Sequence, residues 1–504
     1  MVLRCDVEAK PIFEVKPIFE EALARERAPA PASIAVPLVV DLDGTLLKTD
    51  LLLESLLVLL KQKPLCVFLL PIWLLKGKAY LKEQIARRVE LDVSVLPYRN
   101  EFVDYLEAQR DAGRSIVLAT ATDIHLARQV ADHLKLFDLV FASDGITNLA
   151  GESKRAQLVS IFGVNGFDYA GNEGADLPVW SSARKAIVIN PGRLLRTRVA
   201  RVATIDKTFA SPKRDWRDYV EPLRLRHWLK NLLLFVPLFA AQRYFETALL
   251  EKAILAFVAF GCCASAGYVL NDLFDLASDR HHPHKRLRAF AAGNLRLSYG
   301  LAMIPVLLAL GCVMASLLSG IFLAVLLIYV ALTSAYSFYL RRVVILDVIV
   351  LAALYSTRIL AGSAAIAIWP SQWLLAFSTF LFFSLALVKR YGELVIIKRF
   401  DGEQAKARGY ELGDGELLAA MGTASGYVAV LVLALYVDSD TAHSMYGRTE
   451  LMWFLCPLLL YWISHIWLFA HRGKMPDDPV VFATRDRISR ILIVLMIAIT
   501  LLAL

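Results

Sequence analysis

The chain has 504 residues, 57% of them hydrophobic, with a formal net charge of +8 and a mean hydropathy of +0.52. That length calls for more than one domain, and the apolar excess falls after Leu229, so a largely soluble first half precedes a membrane domain. The basic residues lie mostly between apolar spans with no aromatic-basic stripe in the soluble half, which excludes nucleic-acid binding, and six cysteines without CxxC spacing exclude a disulfide framework or zinc site.

Residues 1–36 have no continuous apolar core after the first positive charge, so no secretory signal is expected and the segment should stay in the cytoplasm. KPIFE occurs twice there, ahead of the run APAPASIAVP, as in a poorly ordered tail. The buried-strand pattern IAVPLVV then leads into Asp41-Leu42-Asp43-Gly44-Thr45. An Asp at the carboxyl end of a parallel strand is placed to attack phosphorus, a second Asp two residues on can exchange protons with the leaving group, and Gly44 permits a tight turn. Residues 50–110 contain LLLESLLVLL and PLCVFLLPIWLL, each too short to cross a bilayer. A helical cap with a buried core is expected there, with an interfacial hairpin dipping toward lipid as the alternative; either lays a lid over Asp41. A second strand, 115–119, ends at Thr120, and the basic stretch 193–222 reads as a linker suited to anionic head groups.

Apolar segments recur at about 231–241, 249–270, 298–318, 320–339, 345–368, 373–388, 417–437, 451–470 and 488–504, giving nine spans, the first rather short. The connecting charges alternate. With the soluble domain inside, the inner loops carry Arg280 to Arg296, Arg341 and Arg342, the group Lys389, Arg390, Lys398, Arg399, Lys406 and Arg408, and Arg472 to Arg487, whereas the outer loops offer little beyond Arg243 and Arg448. An odd number of spans then leaves Leu504 outside.

The stretch 271–293, NDLFDLASDRHHPHKRLRAFAAG, crowds carboxylates and cations at the inner end of the second span. In a helix Asp272, Asp275 and Asp279 stand at i, i+3 and i+7 and project from one face. Mg2+ held by such carboxylates commonly completes its shell with substrate phosphates. Lys285, Arg286 and Arg288 could neutralise the remaining phosphate oxygens, so the implied ligand is a diphosphate. Asp347 and Arg358 are intramembrane ionisable residues, either members of the same pocket or a structural ion pair about three turns apart.

Two resemblances follow from these motifs. DxDGT at 41–45 after a hydrophobic strand resembles the first motif of the haloacid-dehalogenase-like (HAD) phosphatases. The resemblance implies an α/β Rossmannoid fold with a helical cap, Asp41 as nucleophile, Asp43 as acid, and Thr120 and Lys154 on the phosphoryl group. It also implies an Mg2+ site made by Asp41 with the loop 171–176, where Asn172 stands in the usual acidic position and Asp176 is retained. An amide offers an oxygen without charge, so a silent HAD fold remains a second reading. The membrane half resembles the UbiA-type intramembrane prenyltransferase superfamily, an all-α bundle of nine helices, and within it the decaprenyl-phosphate phosphoribosyltransferases. The matching stretches are Arg224 to Asn231, NDxxDxxxDR from Asn271 with the residues to Gly293, and the KRxxEL-like Lys389 to Leu394; Leu225 and Ala289 replace prolines.

The implied divisions are a tail at 1–36, a HAD-like domain at 37–192, a linker at 193–222 and the transferase at 223–504. The implied substrate-binding set is Arg224, Lys230, Asn271, Lys285, Arg286, Arg288, Asp347, Arg358, Lys389, Arg390 and Glu393. The implied reaction is Mg2+-dependent transfer of phosphoribosyl from phosphoribosyl diphosphate to a polyprenyl phosphate at the cytoplasmic face of the plasma membrane, followed by removal of the ribose 5-phosphate by the fused phosphatase. Lys389, Arg390 and Glu393, in place of a second aspartate-rich motif, suit an additional phosphate monoester. Prenyl transfer to an aromatic acceptor is the alternative, and a transporter or scaffold fits poorly because the charges gather at one membrane face.

Overall fold

The computed structural model describes residues 36–210, 215–400, 409–475 and 479–504, with the side chains of 397–400 outside that description. The doubled KPIFE segment, Lys406 and Arg408, and the side chains of Lys398 and Arg399, therefore lie outside the described residues.

The first half is built on six parallel strands, β1 (Leu38–Val40), β2 (Ile116–Asp123), β3 (Leu139–Ser143), β4 (Asp168–Gly171), β5 (Ala186–Ile189) and β6 (Ile205–Phe209), in the order β3-β2-β1-β4-β5-β6. Strands buried on both faces need apolar residues at both parities. Leu38 and Val40 accordingly pack with Ile116, Leu118 and Ile187, while Val39 packs on the other face with Val117, Tyr169 and Val188. β1 lies centrally where the strand order reverses, and the crevice beyond the carboxyl ends at such a point is where α/β sheets bind ligands. The basic stretch expected as a linker enters the sheet domain instead. Its helix Arg193–Val202 buries Val199 and turns its arginines outward, and β6 completes the sheet edge.

Between β1 and β2 stands the expected helical cap, with helices Leu51–Gln62, Lys78–Ala86 and Asn100–Asp111 and a short Leu70–Leu75 segment. Leu59, Cys66, Trp73, Ile85 and Val89 make a small core inside it.

In the second half, seven helices among the described residues are long and apolar enough to cross a membrane, from Thr247–Phe274 to Thr449–His471. The protein is a multi-pass membrane protein. Two of the nine expected spans differ from ordinary crossing helices. The last is a 17-residue helix, Arg487–Ala503. The first is a 3-10 helix, Leu225–Phe235, continued by a five-residue α-helix, Val236–Ala240. A 3-10 helix rises about 2.0 Å per residue, so this segment extends roughly 30 Å, about the thickness of a hydrocarbon core. Small residues let it lie close to its neighbours. A Cβ on Gly362 would stand 2.0 Å from the carbonyl oxygen of Leu234, and one on Gly261 would stand 2.8 Å from the Trp228 ring. Trp228 Nε1 also donates to Ser265 Oγ at 3.0 Å.

The two halves are docked through the cap. Leu57 joins Val269, Leu273, Phe290 and Leu297 in one apolar cluster. Beside it the guanidinium of Arg280 clamps the Glu54 carboxylate at 2.6 and 2.8 Å, both side chains nearly fully buried. Lys61 Nζ donates to the carbonyl oxygen of Phe274 at 2.7 Å and to Asp275 Oδ1 at 2.8 Å.

Candidate active sites

At the inner end of the Thr247–Phe274 helix the backbone departs from helical geometry at Asp275 and restarts as the short helix Leu276–His281. The break divides the three carboxylates expected on one face. Asp272 and Asp279, both buried, are bridged by Arg288 Nη1 at 3.2 and 2.6 Å, and Arg224 also donates to Asp272. Asp275 turns the other way, to Lys61 and to Arg341 at 3.2 and 3.3 Å, and shares a narrow crevice with Asn271 and Ser337. Lys285 is half-buried and Arg286 exposed; neither lines the cleft at Asp272.

That cleft measures about 490 Å³ and is lined by Asp272 and Arg288 together with Arg217, Glu221, Arg224, Arg226 and His227, a size suited to a small ligand. Four arginines against two carboxylates make it a receptor for anions. The 3-10 segment extends this character into the bundle, because three residues per turn stack side chains at i, i+3 and i+6. Arg224 and His227 both pack on the Tyr268 ring, at 5.4 and 5.3 Å, and Lys230 lies over Tyr355 at 5.6 Å. Arg358 follows, buried, donating to Asn231 Oδ1 at 3.2 Å and Tyr329 OH at 3.1 Å, and sitting 5.7 Å from the Tyr355 ring.

Asp347 and Arg358 do not pair. Asp347 instead accepts from Arg390 Nε and from Tyr410 OH at 2.6 Å. Arg390, almost completely buried, also reaches Glu393 at 2.6 Å and Tyr336 OH at 2.6 Å. The arginine expected to meet a substrate phosphate is thus engaged in an interior ion-pair network, while Lys389 is half-buried beside it.

Among the described residues no group of three His, Cys, Asp or Glu side chains is close enough to hold a metal ion. The donor set still fits Mg2+ at one place. The Asp272 and Asp279 oxygens share one guanidinium nitrogen, and two carboxylates completed by substrate phosphates is the ordinary way Mg2+ is held. Asp272 and Asp279 are the residues that would hold it.

In the first half, Asp41 follows β1 and Leu42–Leu46 forms one wide turn closed by Leu47 N to the Leu42 carbonyl oxygen at 3.0 Å. Gly44, at φ +74°, makes that turn possible, and a Cβ there would lie 2.1 Å from Asn172 Nδ2. Lys154 Nζ donates to Asp41 Oδ1 at 2.7 Å, and Thr45 Oγ1 lies 3.1 Å from both Asp41 Oδ2 and Asn172 Oδ1. Asp176 faces inward but is held by Tyr169 OH at 2.7 Å and by the backbone N–H groups of Asn172 and Glu173. Thr120 lies within β2, its hydroxyl receiving the Thr122 N–H at 3.1 Å, and it is the Thr122 hydroxyl that donates to Asp43. Burial pushes the Asp41 carboxyl up to about 6, with Lys154 opposing, and burial with the nearby Asp50 pushes Asp43 up to about 7. A carboxylate beside a lysine, with a second carboxyl pushed up toward neutral pH, is a set capable of acid-assisted displacement at phosphorus. From the cap, Lys82 Nζ reaches the Ala121 carbonyl oxygen at 2.5 Å and Asn148 Oδ1 at 2.9 Å beside these carboxylates.

Comparison with known proteins identifies the second half. The model of the UbiA prenyltransferase family matches residues 232–485. The chain belongs to this family. A decaprenyl-phosphate phosphoribosyltransferase of Mycobacterium tuberculosis is 30% identical over 286 residues, covering 55% of this chain and 91% of its own. The nodulation protein NoeC of Azorhizobium caulinodans is 41% identical over 268 residues, covering 53% and 87%. The uncharacterized protein y4nM of Sinorhizobium fredii is 37% identical over 460 residues, covering 90% and 88%, an alignment that takes in much of the first half as well. The UbiA half is thus a transferase of this superfamily.

Several residues of both sites gave no signal in the sequence. Thr122, Tyr169 and Lys82 surround Asp41 and Asp43, and Tyr329 and Tyr410 hold interior charges of the UbiA half. Asn231 was visible only as part of the Arg224 to Asn231 stretch. Glu54 and Lys61 lie in an apolar cap run whose partners are more than two hundred residues away.

Proposed function

We propose that the UbiA half transfers 5-phosphoribosyl from phosphoribosyl diphosphate to a polyprenyl phosphate, and that the first half is a HAD phosphatase which then removes the ribose 5-phosphate. The observation that carries the reading is the convergence of Asp272, Arg224 and Arg288 on one anion-attracting cleft, with Arg288 also bridging Asp272 to the buried Asp279. The similarity to a decaprenyl-phosphate phosphoribosyltransferase supports the choice of substrates.

In this reaction an oxygen of the acceptor phosphate forms a bond to C1 of the ribose as the bond from C1 to the diphosphate breaks. Mg2+, held by Asp272 and Asp279, would supply charge to the departing diphosphate. Arg224 and Arg288 orient the diphosphate oxygens, and Arg224, Lys230 and Arg358 offer positive charge deeper in the bundle to a second phosphate. Asp275 keeps the motif in place through Lys61 and Arg341. In the first half Asp41 attacks the 5-phosphate, Lys154 steadies the transferred phosphoryl group, and Asp43 protonates the departing ribose oxygen before returning to take a proton from water.

We read the two shorter segments as crossings as well, and a count of nine would put both sites on the cytoplasmic side with Leu504 outside. The 3-10 segment is long enough to cross. Contacts of Gln242 with Met445 and of Arg448 with Ala503 gather one set of span ends, and those of Tyr391 with His471 and of Asp347 with Arg390 gather the other.

Prenyl transfer to an aromatic acceptor is the second reading, favoured by one observation: Arg390 is bound up with Asp347 and Glu393, which removes one cation assigned to the additional phosphate. Membranes containing the protein, given radiolabelled phosphoribosyl diphosphate and polyprenyl phosphate, should move label into the lipid phase. Label that stays in water, with transfer from a prenyl diphosphate instead, would overturn the first reading.

A further inference from the structure

The cap carries an apolar surface that neither site uses. Leu65, Val67, Phe68, Ile72, Leu74 and Leu75, on the Pro64–Phe68 turn and the Leu70–Leu75 helix, are all exposed, Leu75 to 88% and Phe68 to 74%. Such a cluster on one short hairpin is the kind of patch that marks an interaction site. It is a built structure, since its inner side chains Cys66 and Trp73 pack on Leu59, Ile85 and Val89 and leave the other six facing out.

Its position indicates what covers it. Lys61, near the end of the Leu51–Gln62 helix, donates to the Phe274 carbonyl oxygen at the inner end of a membrane-crossing helix, and Leu57 packs on Val269 and Leu273 of that same helix. The hairpin begins three residues beyond Lys61, next to that inner helix end. Lys76 and Lys78 are exposed at its far edge, and Arg88 stacks on Trp73 at 4.9 Å. An apolar tip with a basic rim is the pattern of an interfacial anchor on anionic lipid.

We propose that residues 64–75 insert into the bilayer leaflet on the side of the α/β domain, so that the site at Asp41 and Asp43 meets its phosphate ester on a membrane-anchored substrate. The chain runs from this hairpin directly into the Lys78–Ala86 helix, whose Lys82 stands at that site. The lipid contact stands on the hairpin geometry alone; the substrate class rests on the phosphatase reading.

The test uses the full chain in vesicles of phosphatidylethanolamine and phosphatidylglycerol, with Cys5, Cys312 and Cys456 replaced by serine. Spin labels are placed in turn at Phe68→Cys, Leu75→Cys and, as an aqueous reference on the same domain, at the exposed Ile146→Cys. Labels at 68 and 75 should be relaxed strongly by oxygen and at least fivefold less than the reference by a water-soluble nickel chelate. Equal relaxation by the chelate would overturn the proposal, and exclusion of both reagents, the signature of a protein partner, would overturn it as well. In a second arm, Phe68→Glu combined with Leu75→Glu should slow hydrolysis of a lipid-linked ribose 5-phosphate at least tenfold while changing that of p-nitrophenyl phosphate less than twofold. Equal losses on both esters would overturn the substrate assignment. A wild type that cleaves neither ester removes the phosphatase reading and the substrate class with it, while the spin-label result still decides the lipid contact.

Discussion

Replacing Glu54 by Ala tests how firmly the two halves are joined. Arg280 places two nitrogens on the Glu54 carboxylate at 2.6 and 2.8 Å, with side-chain exposures of 5% and 4%. Its remaining contact is to the Ala291 carbonyl oxygen at 2.9 Å. Taking one partner from a buried ion pair leaves the other charge desolvated and costs roughly 3–5 kcal/mol. The loss falls on docking between the domains, because the pair joins the cap to the segment carrying Asp279. Amide hydrogen exchange in detergent reads it locally. Exchange in Leu51–Gln62 and Leu276–His281 should accelerate roughly 100- to 4000-fold, tenfold for each 1.4 kcal/mol, while the β1 and β2 strands stay protected. Exchanging the charges, with Glu54→Arg and Arg280→Glu together, should recover part of the loss. Acceleration below about threefold in the single variant would refute the reasoning, since the pair would then contribute no more than an exposed one.

Asp272→Asn or Asp279→Asn should abolish transfer with expression and membrane insertion intact, as followed by lipid-phase label; full activity in either would remove the metal assignment. Asp43 has a folded pKa of about 7 against an ordinary value of 3.8, so its contribution to stability is fully present below the ordinary value and is lost as pH rises through 7. The α/β domain in metal-free buffer should therefore weaken between about pH 4 and pH 8 by an amount on the order of 4 kcal/mol. Asp43→Asn should flatten that part of the melting-temperature profile, and an unchanged slope would refute the burial argument. Asp41→Asn should leave transfer unchanged and stop the product at the 5-phosphorylated lipid, which chromatography of the lipid fraction would detect; loss of transfer as well would show that the halves do not act independently.

How much of this was legible depended on whether the chemistry was local. The strand running into Asp41 and Asp43 and the helical insertion after it are short-range patterns, and the structure places each on the element expected, whereas the NDxxDxxxDR stretch starts on a helix that does not run through it. Asp275 was misread because a 3.6-residue period puts it with Asp272 and Asp279, whereas the helix breaks at Asp275 itself, where Lys61 takes its carboxylate and the Phe274 carbonyl. The 193–222 stretch read as a linker because its arginines dominate the composition, although one buried residue, Val199, is enough to fix its helix on the sheet. Arg390 looked available for substrate because Asp347, its partner, lies on another span.

The same distant contacts change what the fusion of the two domains accomplishes. A flexible tether would raise the encounter rate of a phosphatase with the transferase product through effective concentration alone. Here the cap is fixed to the acidic motif by Arg280 with Glu54 and by Lys61 with Asp275, so the separation of the two sites is set by packing and does not depend on linker length. The contacts also run in both directions. Asp275, within the transferase motif, has two cationic partners, and one of them, Lys61, belongs to the other domain. Removing the α/β domain would leave that carboxylate with Arg341 alone and leave the Arg280 guanidinium without Glu54. On the proposed reading, the phosphatase domain then helps to hold the transferase motif in place from behind its site, and the lipid product passes from one centre to the other along the leaflet that both domains touch.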